Sequence, residues 1–215
     1  MHVRWHVGGA RFVEVSATLE VLVPPAVARL YFWALQVGFE GGGAGHTGLQ
    51  WLPARGGMPA VNWGGYGPDG RELDGTLSAL PSLDGNPNTR LLSWDAAVPH
   101  HLRVTRSPEG RGWSAEVDGV TVRDLFTQGR YLVDPMVWSE VFAACDDPAV
   151  AVRWSGFRGV QEDGSVVVPE AATVTYQSWS EGGCTNTDVS PDGTGVVQAT
   201  ATDRRTPHGA VLRVP

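Results

Sequence analysis

Apolar and polar residues alternate along most of this chain with a period of two. Val13, Val15, Ala17, Leu19, Val21 and Val23 interleave with Glu14, Ser16, Thr18 and Glu20. That pattern predicts a long strand with one dry face, stopped by Pro24 and Pro25. Arg29 to Phe39 ("RLYFWALQVGF") is apolar on both faces and reads as a central strand. "HTGLQWL" predicts another strand, closed by Pro53. "HHLRVTR" and "GWSAEV" flank "SPEG", the signature of a hairpin, and Asp118-Gly119 predicts a second tight turn into "VTVRDLF". Strands follow at "MVWSEVFA", "AVAVRW", "ATVTYQSW", "GVVQATAT" and "AVLRVP". Helical periodicity is nearly absent; its best candidate is Val122 to Gly129, at most two turns. Many short strands separated by turn residues predict an all-β fold, a sandwich or barrel, as one domain over residues 1–215. The Gly-, Pro- and Asn-rich region of about 53–90 is expected to form long loops.

Glycine also raises a question of chemistry. Gly43, Gly45 and Gly48 in "GFEGGGAGHTGLQW" have the G-x-G-x-x-G spacing of a dinucleotide-binding turn. That turn needs a helix after it, whereas "LQWLP" alternates and stops at proline. The run is therefore read as a hairpin between two apolar strands, with His46 an exposed loop residue. All 16 basic residues are arginine, so no P-loop, kinase or Schiff-base lysine can be built. The net charge of −7 and the lack of a basic stripe argue against nucleic acid as a partner. No apolar run is long enough to span a membrane as a helix, and the start has no signal-like apolar stretch, so a cytoplasmic location is expected. On that ground Cys145 and Cys184 are expected to be thiols; a bridge would require export.

Candidate binding chemistry collects around nine tryptophans. In "VWSEVF", Trp138, Glu140 and Phe142 share one strand face. A carboxyl between aromatics is either a desolvated acid or a polar anchor, and should have an arginine near it, Arg90 or Arg153. "AVNWGGYG" offers Asn62, Trp63 and Tyr66 on a glycine loop, with Gln50 on the strand before it. "DVSPDG" resembles the start of a calcium loop, making Asp188 and Asp192 weak metal candidates, but the twelfth position is Ala199 and no cofactor is expected. Glu116 and Asp118 lack the third carboxylate of a glucanase strand.

Taken together, "YFWALQVGFEGGGAGHTGLQ", "NTR", "MVWSEVFAACDDPAVAVRWS" and "TNTDV" resemble a bacterial domain-of-unknown-function family, over about Leu30 to Asp188. The resemblance implies a concanavalin-A-like lectin/glucanase β-sandwich, a jelly roll of two antiparallel sheets, whose concave sheet binds glycans, often beside calcium. The first functional expectation is therefore non-catalytic binding of a carbohydrate or similar small ligand. Trp63, Tyr66 and Trp138 would stack, Gln50, Asn62, Asn88 and Glu140 would hydrogen-bond, and Arg90 would orient Glu140. The alternative is an enzyme in the same cleft with Glu140 as acid/base: a glycosidase or lyase with Asp95, Glu116 or Asp146 as partner, or a cyclase or isomerase. A protein-interaction module is the third expectation.

Overall fold

The alternating segments form two antiparallel sheets packed face to face. The structure, a computed structural model, describes residues 1–54, 57–83 and 85–214. In chain order the strands are β1 (His2–Trp5), β2 (Glu14–Val23), β3 (Tyr31–Phe39), β4 (Ala44–Leu52), β5 (Met58–Tyr66), β6 (Ser82–Leu83), β7 (Asn86–Arg90), β8 (Pro99–Arg106) and β9 (Gly112–Val117). They continue with β10 (Val120–Phe126), β11 (Leu132–Val141), β12 (Ala151–Val160), β13 (Val166–Val167), β14 (Ala171–Thr175), β15 (Thr187–Pro191), β16 (Gly195–Thr200) and β17 (Val211–Arg213). One sheet has the order β17-β14-β1-β11-β3-β4-β5-β7-β6; the other is β10-β9-β8-β2-β12-β16-β15, with β13 paired to β12.

The dry face of β2 sets the core. Val15, Ala17, Leu19 and Val21 are buried against Trp33, Leu35 and Val37 of β3 and their neighbours in one continuous apolar cluster. Four large side chains, Trp33, Trp63, Trp113 and Trp154, are fully buried within it. Trp63 Nε1 donates to the Trp113 carbonyl at 3.0 Å, so one side chain ties β5 to β9 of the opposite sheet. Trp63→Ala should cost about 3–5 kcal/mol, the usual loss for an aromatic deleted from a core. A fall in Tm of roughly 10 °C in a thermal melt would be the readout.

The two predicted hairpins form: β8 and β9 pair antiparallel, and Asp118 and Gly119 turn into β10 with positive φ of 51° and 77°. The glycine run is also a hairpin, with Gly41, Gly42 and Gly43 all at positive φ between β3 and β4.

Three expectations fail. Val122 to Gly129 is not helical; Val122 to Phe126 belong to β10, where Val122, at a shift of register, and Leu125 both reach the core. The region expected as loop contains β5, a nine-residue strand of the larger sheet. Its glycines are strand glycines, since side chains on Gly64 and Gly65 would run into Asn88 and the Ala44 carbonyl. His46 is in β4 rather than an exposed loop, packed edge-on against Phe32 and Trp138 at ring separations of 5.7 Å each.

Candidate active site

The larger sheet has a second apolar cluster on its far side, away from the main core. Phe32, Ala34, Met136 and Trp138 form it. This is why β3 is apolar on both faces: Trp33, Leu35 and Val37 face the core while Phe32 and Ala34 floor the other side. Phe32 and Trp138 meet edge to face at 5.0 Å. The Trp138 indole donates to Gln36 Oε1 at 3.0 Å, which fixes the ring.

Cross-strand register places two polar side chains on this floor. Phe32 pairs with Glu140 of β11 on one side and with Gln50 of β4 on the other. Directly opposed residues share a face, so Glu140, Phe32 and Gln50 form one row. The two outer backbones are two strand spacings apart, about 10 Å. The next row carries Trp138, Ala34, Gly48, Asn62 and Thr89. At Gly48 a side chain would run into the Trp33 carbonyl, so the floor between Ala34 and Asn62 stays flat.

Gln50 is oriented by its neighbours. Asn62 Nδ2 donates to Thr89 Oγ1 at 3.3 Å, and Thr89 Oγ1 donates to Gln50 Oε1 at 3.0 Å. With its oxygen engaged, Gln50 presents its amide Nε2, which has no partner among the described residues and is not sealed from solvent.

Glu140 opens into a cavity of about 480 Å³. Its walls come from β11, from residues 142–148 after it, and from 176–187, with Trp138, Phe142 and Tyr176 as the aromatic lining. Three carboxyl groups line it: Glu140, Asp147 and Glu181. Asp147 accepts from the Ala144 amide at 2.8 Å and sits 3.9 Å from Arg29. Glu181 accepts from the Ser178 amide at 3.1 Å and hydroxyl at 2.5 Å, and these bonds hold it below the usual carboxylate range. Glu140 alone has no hydrogen bond or ion pair among the described residues. It is exposed at the wall, yet crowded enough that partial burial raises its carboxyl above the ordinary value.

That shift has a consequence for stability. A carboxyl with a raised pKa binds its proton more tightly in the native state. Its contribution is full below the unfolded value and is lost as pH rises through the folded one. Glu140→Gln should therefore melt above the wild type near neutral pH and level with it below about pH 4. Melting curves at both pH values check this.

The remaining expected site residues are dispersed. Trp63 has no exposed surface and cannot stack on a ligand, and Tyr66 is 53% exposed at the far end of β5. Asn88 is held by Arg123, whose Nη1 donates to its Oδ1 at 2.8 Å, and donates in turn to Glu72. Arg90 does not orient Glu140: it lies on β7 opposite Val61, a core residue, and so faces between the sheets. Arg153 is on the other sheet, paired with Glu20 and Asp192. Glu116 is paired with Arg103 there, and the Asp95 carbonyl accepts from His100, so neither stands beside Glu140. Asp146 is absent from the cavity lining, which its neighbour Asp147 joins. Asp188 accepts from the Arg205 and Thr206 amides at 3.2 and 2.9 Å, while Asp192 binds Arg153. The calcium candidates thus serve separate protein contacts, and no cluster of metal-ligating side chains occurs among the described residues.

The cysteines correct another expectation. Cys145 and Cys184 form a disulfide with Cα atoms 5.6 Å apart, and both line the cavity. The bridge joins its two walls.

The two-sheet fold is similar to that of solved β-sandwich peptidases. SCP-B, a member of the eqolisin family of peptidases solved in a complex with the tripeptide Ala-Ile-His, superposes with a TM-score of 0.52 at 16% identity, over 93% of this chain and 96% of that one. Scytalido-glutamic peptidase with a transition state analog inhibitor gives 0.51 at 18% identity, over 93% and 96%. No family model matches the sequence, and no curated protein does. These neighbours overturn the expected carbohydrate partner and leave the concanavalin-A-like assignment without support: they are peptidases solved with a peptide or an inhibitor. The buried Trp63 and the displaced Arg90 remove the stacking and orienting groups on which that expectation rested.

Proposed function

We propose that the chain is a peptide-bond hydrolase in which Glu140 moves the proton and Gln50 stabilises charge. The observation that carries this is the row Glu140–Phe32–Gln50, in which the Glu140 carboxyl and the Gln50 Nε2 amide have no partner among the described residues. A water above Phe32 gives a proton to the Glu140 carboxylate as its oxygen attacks the scissile carbonyl. The carbonyl electron pair moves onto oxygen, where the Gln50 amide donates a hydrogen bond. Collapse of the tetrahedral species breaks the C–N bond, and Glu140 returns the proton to the leaving amine. A carboxyl with a raised pKa suits both halves of this cycle. The sandwich shared with two peptidases, one of them named glutamic, supports the reaction class.

The wall bridge supports an oxidising compartment, and so export, as the place of work.

Turnover of a mixed library of unstructured peptides, read by mass spectrometry, tests the reading. Gln50→Ala should lower kcat about 10²- to 10³-fold, the usual loss of one oxyanion donor, with KM little changed. No cleavage by the wild type across acid to neutral pH would refute the proposal.

A further inference from the structure

Two arginines meet where the sandwich is open at one edge. Arg90 of β7 pairs with Val61 and Arg123 of β10 pairs with Ala115, so each points from its own sheet into the space between the sheets. They are 4% and 5% exposed. Buried guanidinium groups normally have a carboxylate against them, because an uncompensated buried charge is costly. Neither arginine has a carboxylate within 4.0 Å among the described residues, whereas Arg103 and Arg153 each have two. The Nε of each is sealed from solvent without a hydrogen-bond partner. Arg90 donates only from Nη1, to the Thr89 carbonyl at 3.0 Å. Arg123 donates from Nη1 to the Pro87 carbonyl at 2.5 Å and Asn88 Oδ1 at 2.8 Å. Burial lowers both guanidinium pKa values, and Arg90 lowers that of Arg123 further.

Both arginines line an open cavity of about 260 Å³, bordered by residues 72–77 and Pro87. A water's share of liquid volume is about 30 Å³, so the space admits a polyatomic ion. Gly75 lets the covering segment lie against Arg123, whose Nη2 is 2.5 Å from where a side-chain carbon would stand. Glu72 and Asp74 are at the exposed rim; they bias Arg123 toward its charged form, but Glu72 accepts from Asn88 and neither reaches a guanidinium.

We propose that this cavity binds a tetrahedral oxyanion of the phosphate or sulfate class between Arg90 and Arg123. With Nη1 engaged and Nε sealed on each, Nη2 is the donor that is neither partnered nor sealed among the described residues, and a tetrahedral anion can accept from both Nη2 groups arriving from opposite sheets. The site is separate from Glu140: β5, β4 and β3 intervene between β7 and β11 in the sheet. It does not rest on the peptidase reading.

Isothermal titration of the full chain with sodium phosphate, sulfate and acetate, at matched ionic strength in chloride, tests it. Saturable one-site binding of phosphate or sulfate is expected, at least tenfold tighter than acetate. Arg90→Gln and Arg123→Gln should each weaken it at least tenfold. Should these not fold, Arg90→Lys keeps the charge and loses the Nη2 donor beside the one that holds Thr89, and the same tenfold loss is expected. Absence of saturable binding by the wild type, binding of acetate as tight as phosphate, or affinity unchanged in the folded variants would overturn the proposal.

Discussion

Glu140→Gln is expected to reduce kcat/KM on a cleaved peptide about 10³-fold, within the range for loss of a general acid–base. The substitution keeps the shape of the side chain and removes only its ability to carry the proton. Phe32 and Trp138 pack against one another, and Gln36 holds the indole, so the floor does not depend on the carboxylate. The variant should fold, melt at or above the wild-type temperature and bind peptide with similar KM. Progress curves with a quenched fluorescent peptide give both constants. Activity within tenfold of the wild type would exclude Glu140 as the group that moves the proton. Asp147 and Glu181 cannot replace it without giving up the contacts that shape their loops.

Loss of the disulfide is expected to have the second largest effect. Closing a loop over a sequence separation of 39 restricts the unfolded chain. On the chain-entropy account that restriction is worth about 4 kcal/mol. The double substitution Cys145→Ser and Cys184→Ser should lower Tm by roughly 10 °C. It should also raise KM more than it lowers kcat, because the bridge joins cavity walls and touches neither Glu140 nor Gln50. Treatment with a thiol reductant should reproduce both changes in the wild type and leave the double variant unaffected. An unchanged melting temperature would show that the walls hold together without the bridge.

The strands were legible where one face is dry. Val15, Ala17, Leu19 and Val21 alternate with polar residues, and β2 forms as their spacing predicts. β5 was hidden because Gly64 and Gly65 suggest a loop. Their true cause is crowding by Asn88 and the β4 backbone, which no local pattern encodes. Glu140 and Gln50 both stood out in the sequence, one as an acid among aromatics and one as a polar residue in an apolar strand. Their common partner Phe32 did not, because register between strands distant in the chain is set by the whole sheet. The available signal was β3 itself, whose two apolar faces imply two occupied surfaces. Arg90 was misplaced because a five-residue strand does not reveal which face it buries. The cysteines were judged by compartment; their pairing depended on two loops meeting across the cavity.

The position of β1 has a bearing on how the chain acquires its shape. His2–Trp5 lies between β11 and β14, with His2 opposite Trp138 and Thr175. Both neighbours of β1 thus lie in the second half of the sequence, far behind it in order of synthesis. At about 5–20 residues added per second, it waits on the order of ten seconds for them. Until then Val3 and Trp5, both buried in the finished core, have no lasting place to go. Val3 and Trp5 are in this sense made long before they can be folded, and β1 completes the sheet by insertion into a gap between β11 and β14.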